Sequence, residues 1–254
     1  MPDRVWWPVR GTDGLYRIYD RTQQPRAWLK AVYLPGIPLI TQIDDGTVAP
    51  TGPADGAFTS SISSPSVVIE LLRHLAPEPG QKTLEIGTGT GYTTALLTHR
   101  TGDTNVTTIE IDPRLAHHAQ TRLHALGLHP HLITGDGEQG HPPNAPYDRI
   151  LATASVRTIP PAWIDQLRPG GLLLVPLDSP FGHDLLLRLE ADGHGQAHGR
   201  FIAPVEFMRT RAQRTPRSHV GLGWPPDASP DQWQYLHVTV GPAGQHIHHH
   251  ASAP

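Results

Sequence analysis

Three glycines at alternate positions, Gly87, Gly89 and Gly91, form the part of the chain best suited to holding a ligand. They follow a short apolar run and precede a segment of helical composition, which predicts a turn between a strand and a helix. Backbone without side chains allows close approach of a ligand. The first turn of the following helix offers free N–H groups to a carboxylate or phosphate.

Two common uses of such a turn do not fit the sequence. A dinucleotide-binding turn needs glycine at the sixth position of the motif, where this chain has Tyr92. A phosphate-binding loop of the Gly-Lys-Ser/Thr type is absent. A glycine-rich turn taken alone can also be a tight turn with no ligand.

Acidic residues near three predicted strand ends give the turn its chemical context. Glu85 precedes the glycines, Glu110 ends the next predicted strand, and Asp136 lies between two glycines after the third. A carboxylate at the second position can accept both hydroxyls of a ribose, and one at the third can accept an adenine amino group. Each residue alone could be a solvated strand end or a turn residue. Together and in this order they predict S-adenosylmethionine as the cofactor.

Alternating strands and helices between residues 64 and 205 are predicted to position these groups, as in a mostly parallel sheet covered on both faces. Strands are predicted at 83–86, 105–109, 131–134, 148–153 and 172–175, and helices at 65–75, 92–99, 113–126 and 161–167. Residues 185–189 and 200–207 are predicted to form a closing antiparallel pair, and 235–240 one more strand. Upstream, 5–7, 15–19 and 39–43 are predicted strands. The interpretation is an arm (1–57), a core (58–208) and an extension (209–254).

Composition limits the classes of function. The chain has 254 residues, no cysteine and a formal net charge of −3, which excludes thiolate chemistry and gives no general attraction to nucleic acid. No apolar run is long enough to span a membrane, and residues 1–10 lack the apolar core of a secretory signal. We expect a cytoplasmic monomer. Histidines at 246 and 248–250 lack the neighbours of a metal site, so no metal is predicted.

Several segments resemble one known family. Residues 83–92, Thr-Leu-Glu-Ile-Gly-Thr-Gly-Thr-Gly-Tyr, are similar to the first motif of the protein-L-isoaspartate O-methyltransferases. Residues 135–140 resemble that family's Gly-Asp-Gly-x-x-Gly segment, and 61–65, Ser-Ile-Ser-Ser-Pro, its Thr-Ile-Ser-x-Pro element. Further similarity follows in order at 145–148, 159–162 and 166–171, so the resemblance covers about residues 39–207.

The resemblance implies a class I S-adenosylmethionine-dependent methyltransferase of α/β class, with a doubly wound, mostly parallel seven-stranded sheet. It implies methyl transfer to a carboxylate of an aspartate-derived residue in a peptide or protein. Ser63 matches the family's active-site hydroxyl, although it could also be an extra capping residue before Pro65. The predicted cofactor-binding residues are Glu85, Gly87, Thr88, Gly89, Gly91, Tyr92, Glu110, Ile111, Asp136 and Gly137. The predicted substrate-binding residues are Ser61, Ser64 and Arg157, the last of which could equally be a surface charge.

Departures from the family pattern occur on the predicted substrate side. The chain has Glu138 where an aromatic residue is usual, Ser66 where a larger one is common, and different residues at 155–157. Residues 39–46 and 58–65 resemble a variant subgroup found with bacterial ribosomal-peptide biosynthesis. That subgroup esterifies an ordinary aspartate in a cyclised precursor, which leads to aspartimide or isoaspartate. We take this as the main interpretation and protein repair as the alternative. A binding module without activity and a methyltransferase for small molecules or nucleic acid fit the residues less well.

Overall fold

The computed structural model describes residues 1–249 and places its strands in two sheets. The strands are β1 (Arg4–Arg10), β2 (Tyr16–Asp20), β3 (Leu39–Ile43), β4 (Phe58–Ile62), β5 (Thr83–Ile86), β6 (Val106–Glu110), β7 (His131–Thr134), β8 (Tyr147–Ala152), β9 (Leu167–Leu177), β10 (Asp184–Ala191), β11 (Ala197–Val205), β12 (Leu236–Gly241) and β13 (Gly244–His249). The helices are α1 (Pro25–Val32), α2 (Pro65–Leu75), α3 (Tyr92–Thr101), α4 (Pro113–Ala125) and α5 (Pro161–Asp165). No helix among the described residues is both long and apolar enough to cross a membrane.

The larger sheet has the order β13-β12-β11-β10-β9-β8-β5-β6-β7. Strands β7, β6, β5, β8 and β9 are parallel, and β5 and β6 are buried along their whole length, as expected of a sheet covered on both faces. The α/β class and the parallel core predicted from the sequence are therefore confirmed. The carboxyl ends of the five parallel strands meet at one edge of the sheet, which is where open sheets of this kind bind ligands.

The remaining strands of this sheet extend it as an antiparallel meander, β9 to β13. The predicted pair at 185–189 and 200–207 and the strand at 235–240 are all present. The sheet has nine strands among the described residues instead of seven, because β12 pairs with β11 and β13 pairs with β12. Strand β13 was missed because Ile247 is its only buried residue, so its histidine-rich sequence carries no alternating apolar pattern. His250, the last histidine of that run, lies outside the described residues.

Residues 4–62 form a separate antiparallel sheet, β2-β1-β3-β4, instead of an irregular arm. The three strands predicted here are present, whereas α1 and β4 were missed. Val5, Leu39 and Ile62 of this sheet pack with Trp28 of α1. Because β3 pairs with β4, the sheet continues across the predicted boundary at residue 57.

The helix ends follow the sequence signals. Asp112 caps α4, with its carboxylate accepting from the N–H groups of Arg114 and Leu115. Ser64 occupies the N-cap position of α2, but its hydroxyl makes no capping hydrogen bond. Pro65 instead supplies the fixed φ of the first helical residue.

Candidate active site

One cavity of about 970 Å³, including its open mouth, lies at the carboxyl edge of the parallel strands. This volume is in the range of small-molecule and cofactor sites. The large sheet supplies its floor, the N-terminal sheet one wall, and residues 208–211 with Arg214 another. The lining residues used below are Gln42, Ser61, Ser63, Gly87, Thr88, Gly89, Tyr92, Glu110, Ile111, Asp136, Gly137, Glu138, Arg209, Thr210, Arg211 and Arg214.

Backbone conformation and steric contacts explain why glycines occupy this turn. Gly87 has φ +96°, and a Cβ on it would lie 2.8 Å from Oγ1 of Thr153. Gly89 turns its N–H toward the neighbouring strand and donates to Oε2 of Glu110 at 2.8 Å. Gly91 does not line the cavity, although it was predicted to bind the cofactor. A Cβ there would come within 3.3 Å of Leu123, so this glycine lets α3 pack against α4.

Glu110 is the buried acidic group of the cavity. Its Oε2 accepts from Gly89, and its Oε1 accepts from the N–H of Asp112 at 3.0 Å. Burial raises the pKa of this carboxyl. These two bonds orient the carboxylate and leave a further lone pair on each oxygen, so two adjacent hydroxyl groups could donate to it. The donor requirement of a ribose fits this residue.

The other predicted cofactor residues at the cavity are Thr88, Tyr92, Ile111, Asp136 and Gly137. Asp136 is exposed, and its Oδ1 accepts from the N–H of Glu138 at 3.0 Å. The backbone of Gly137 lies so close to Ile86 that a Cβ would come within 2.6 Å of its Cγ2. The contacts of these five residues with a cofactor remain predictions.

Glu85 does not line the cavity, contrary to the prediction that it contacts the cofactor. It is fully buried below the glycine turn, and its Oε2 accepts from Oγ1 of Thr94 at 2.5 Å and of Thr108 at 2.7 Å. Its Oε1 has no partner among the described residues. Burial raises the pKa of Glu85 to about 7 against the lowering effect of the two threonines. The residue ties β5 to β6 and α3 beneath the site.

Ser61 and Ser63 bring two hydroxyl groups to the opposite wall of the cavity. They lie at the end of β4 and just after it, and neither side chain hydrogen-bonds within residues 1–249. Both hydroxyls are therefore available to a ligand. Ser64 is buried and turned away from the cavity, because it occupies the N-cap position of α2. Its predicted contact with substrate is not supported by this position.

Arg157 also lies away from the cavity, which corrects its predicted role. Its guanidinium forms an ion pair with Asp178 and donates from Nε to the carbonyl of Gln213 at 2.9 Å. Its side chain is only 13% exposed. Arg157 therefore supports the segment that follows the last core strand instead of facing a substrate.

Residues 208–214, which we call the strap, cover the cavity and were not predicted to do so. Arg209 anchors the strap through ion pairs with Asp178 at 2.8 Å and Asp184 at 3.0 Å. Thr210 Oγ1 donates to Oε1 of Glu138 at 2.8 Å. The strap thus passes over the loop that carries Asp136, on the side of the cavity where Glu110 lies.

The far end of the strap is fastened to the N-terminal sheet by charge. Arg214 donates to both carboxylate oxygens of Asp45, at 2.6 and 3.0 Å, and Arg211 pairs with Asp45 at 3.1 Å and with Asp112 at 3.0 Å. The hydrogen bond from Arg214 holds the pKa of Asp45 below its usual value. Asp112 also accepts from Nε2 of Gln42 at 2.9 Å. The sequence feature that could have indicated the strap is its group of arginines at 209, 211 and 214.

Comparison with known proteins supports the family resemblance. The family model of protein-L-isoaspartate(D-aspartate) O-methyltransferase (PCMT) matches residues 51–214. The match includes β4, the glycine turn, the loop of Asp136 and the strap. Strands β1–β3, which contribute Gln42 to the cavity, lie outside it.

Proteins named protein-L-isoaspartate O-methyltransferase are among the similar sequences. The one from Ignicoccus hospitalis is 36% identical over 150 residues, covering 58% of this chain and 71% of that protein. The one from Azorhizobium caulinodans is 42% identical over 153 residues, covering 60% and 69%. These identities extend over most of the length of each relative.

Solved structures agree at the level of the fold. A protein-L-isoaspartate O-methyltransferase superposes with a TM-score of 0.63 at 22% identity, over 77% of this chain and 84% of that one. A putative family member from Plasmodium falciparum, solved with S-adenosyl-L-homocysteine, gives 0.54 at 19% identity over 62% and 79%. With more than half of its residues matched by the family model, this chain belongs to the protein-L-isoaspartate(D-aspartate) O-methyltransferase family of S-adenosylmethionine-dependent carboxyl methyltransferases.

Proposed function

We propose that this chain transfers the methyl group of S-adenosylmethionine to the free carboxylate of an isoaspartyl residue in a peptide or protein. The observation that carries the proposal is a single cavity with a cofactor side and an acceptor side. The glycine turn and Glu110 form the first, and the unpaired hydroxyls of Ser61 and Ser63 form the second. The relatives named as isoaspartate methyltransferases support this acceptor better than the tailoring of a cyclised peptide.

The residues present suit the cofactor. Glu110 would hold the ribose hydroxyls, Asp136 the adenine edge, and the turn at 87–89 the amino-acid portion. When bound, S-adenosylmethionine supplies a methyl carbon made electrophilic by its positively charged sulfur, and the acceptor carboxylate needs no base because it is already ionised near neutral pH. The protein's task is therefore to position the acceptor and to exclude water.

Ser63 is proposed to aim the acceptor. Its hydroxyl can donate to one carboxylate oxygen, which leaves the other oxygen free to form the new bond to the methyl carbon. Ser61, on the same wall, can donate to the peptide beside the acceptor. A single hydrogen-bond donor leaves the attacking oxygen its charge, whereas an ion pair with arginine would reduce its nucleophilicity. The engagement of Arg209, Arg211 and Arg214 with aspartates is consistent with this division of roles.

A second acceptor, an ordinary aspartate in a cyclised peptide, is kept because the acceptor wall includes residues outside the matched family region. Gln42 comes from β3, which precedes residue 51. A wall of this kind could select a peptide shape that family members without β1–β3 do not select. The resemblance of residues 39–46 and 58–65 to the peptide-tailoring subgroup points in the same direction.

Mass spectrometry of matched peptides tests both acceptors. Each peptide is incubated with the enzyme and S-adenosylmethionine as the isoaspartyl form, the linear aspartyl form and a macrocyclic aspartyl form. We expect methyl-ester formation on the isoaspartyl form. Turnover confined to the macrocycle would overturn the primary proposal in favour of the second acceptor, and turnover of none would overturn both.

The role of Ser63 has its own test. Ser63→Ala should lower kcat on the order of 10- to 100-fold through misplacement of the acceptor. The affinity for S-adenosylhomocysteine should stay unchanged. Ser218→Ala, which changes an exposed serine outside the cavity, is the matched control and should behave as wild type. An equal effect of both substitutions, or none of Ser63→Ala, would remove Ser63 from the mechanism.

A further inference from the structure

A second groove leads away from the active-site cavity between the N-terminal sheet and α4. Its volume is about 1390 Å³ including its open mouth. Gln42, Thr90 and Leu115 line both this groove and the cavity. The groove therefore adjoins the cavity, and a chain attached to the acceptor could extend into it.

One wall of the groove is basic. Arg114, His118 and Arg122 lie four residues apart on α4, so they share one helix face, and all three line the groove. Trp6 of β1 and Val48 lie among the residues of the opposite side. The opposite side also carries polar residues, among them Thr41 and Thr47, so the cationic heads on α4 face a mixed wall that suits a peptide with acidic side chains.

The acidic residues of the groove do not neutralise this wall. Asp20 is taken up by Arg4, whose Nε lies 2.7 Å from Oδ2, and by the hydroxyl and N–H of Thr22. Asp3 pairs at 3.4 Å with Arg21, which does not line the groove. Positive charge is thus left over on α4.

Arg122 is the less satisfied of the two arginines on this wall. It is partly buried, and among the described residues it has neither an ion pair nor a hydrogen-bond acceptor. Burial lowers its pKa, and the more distant charge of Asp3 opposes that effect. Arg114, by contrast, donates to the carbonyls of Asp45 and Gly46 at 3.1 and 3.2 Å. A guanidinium withdrawn from water without a partner is costly, and an anion in the groove would offset that cost.

We infer that this groove binds an acidic segment of the acceptor peptide next to the residue that is methylated. The inference rests on the proposed function. Eight residues of helix between Arg114 and Arg122 span about 12 Å, which matches three to four residues of extended chain. Two acidic side chains separated by that length could therefore contact Arg114 and Arg122 at the same time.

Labelled peptides with one isoaspartyl residue and three flanking residues test the inference. The flank is three glutamates, three glutamines or three lysines, placed before or after the acceptor. Fluorescence anisotropy gives the affinity without turnover, and initial rates give KM and kcat. For one placement, we expect the glutamate peptide to bind about five- to tenfold more tightly than the glutamine peptide, at similar kcat, from two partly exposed charge contacts.

Charge variants then locate the effect. Arg122→Gln removes one of the two charge contacts, so it should reduce the preference for glutamate to about two- to threefold and leave the glutamine peptide unaffected. Arg122→Glu should transfer the preference to the lysine peptide, an outcome that mere loss of folding cannot give. Arg73→Gln, which removes an exposed arginine from α2, is the matched control and should keep the wild-type preference.

The outcomes separate this inference from the proposed function. Charge-dependent binding at Arg122 without methylation would support the groove and overturn the function. Methylation without any dependence on flank charge would support the proposed function and overturn the assignment of the groove. A single-stranded oligonucleotide that displaced the glutamate peptide and bound more tightly would also overturn the assignment to a peptide.

Discussion

Glu85 and Glu110 have similar sequence contexts but different surroundings in the folded protein. Both end or nearly end a strand, and both were predicted to contact the cofactor. Glu110 faces the cavity, with its charge held by two backbone N–H groups, whereas Glu85 is sealed beneath the turn between two threonines. The sequence indicated two carboxylates near the site. Which of them can contact a ligand depends on the direction in which each strand presents its glutamate, and the sequence does not give that direction.

Replacing Glu110 should weaken cofactor binding. Glu110→Gln removes the charge that strengthens hydrogen bonds from a ribose, so we expect the affinity for S-adenosylhomocysteine to fall about 10- to 100-fold. Isothermal titration calorimetry measures this directly. Glu78→Gln is a suitable control, since Glu78 is exposed and lies outside the cavity. Equal affinities for wild type and Glu110→Gln would refute the ribose role.

Glu85 should make stability depend on pH. Its pKa rises from 4.5 to about 7 on folding, so its stabilising contribution is complete below pH 4.5 and is lost as pH rises through about 7. The shift corresponds to a loss of about 3 kcal/mol. Glu85→Gln cannot ionise, so its unfolding free energy should fall less steeply than that of wild type between pH 5 and 8. Urea denaturation across this range tests it, and parallel slopes for the two proteins would contradict the buried titration.

Among the helices and strands, those with a simple periodicity of apolar residues were predicted from the sequence. The parallel strands are short apolar runs, and α4 has its capping Asp112 and Pro113 in plain view. Strand β13 has one buried residue and is held by pairing with β12. Helix α1, by contrast, does carry a helical signal, with proline at its start and Trp28, Ala31 and Val32 on one buried face, but it is only eight residues long. The strap was not predictable in the same way. Its position depends on pairing between Arg214 and Asp45, which lie 169 residues apart.

Loosening the strap should weaken the hold on the cofactor without unfolding the protein. Asp45→Asn removes the charge shared by Arg211 and Arg214, and asparagine tolerates the residue's φ of +50° as well as aspartate does. We expect a several-fold lower affinity for S-adenosylhomocysteine, because exposed ion pairs contribute little individually. The melting temperature should change little.

A matched variant separates the effect of loosening the strap from the effect of removing one negative charge. Asp55 forms an exposed pair with Arg10 elsewhere in the N-terminal region, away from the cavity. Asp55→Asn should therefore leave cofactor affinity unchanged. If both variants lowered the affinity equally, the Asp45 contact would not be specific to the strap.

At the scale of the whole molecule, the two sheets share one active site. Gln42 of β3 donates to Asp112, which caps α4, and Arg114 of α4 donates to the carbonyls of Asp45 and Gly46, so these hydrogen bonds join the two units beside the cavity. The division into an arm, a core and an extension remains a prediction. The pairing of β3 with β4 makes residue 57 an unfavourable place to separate them.

A fragment of residues 58–254 should accordingly fail to behave as an independent core. It would expose Ile62, lose the pairing partner of β4, and lack both Gln42 and Asp45. We expect a broadened, non-cooperative thermal transition by circular dichroism and no measurable binding of S-adenosylhomocysteine. A fragment that melts sharply and binds like the full chain would instead support the boundary at residue 57.

The ionic fastening of the strap has a kinetic consequence. We expect product nucleoside to leave faster once Arg211 and Arg214 separate from Asp45, and partly exposed ion pairs separate more readily as salt screens them. If release limits turnover, moderate salt should increase kcat on an acceptor peptide with uncharged flanking residues, even though it weakens substrate binding. Stopped-flow measurement of S-adenosylhomocysteine release at increasing ionic strength would show it, and a release rate independent of salt would rule it out. The residence time of the spent cofactor would then be set at the rim of the site, by three side chains that take no part in the chemistry.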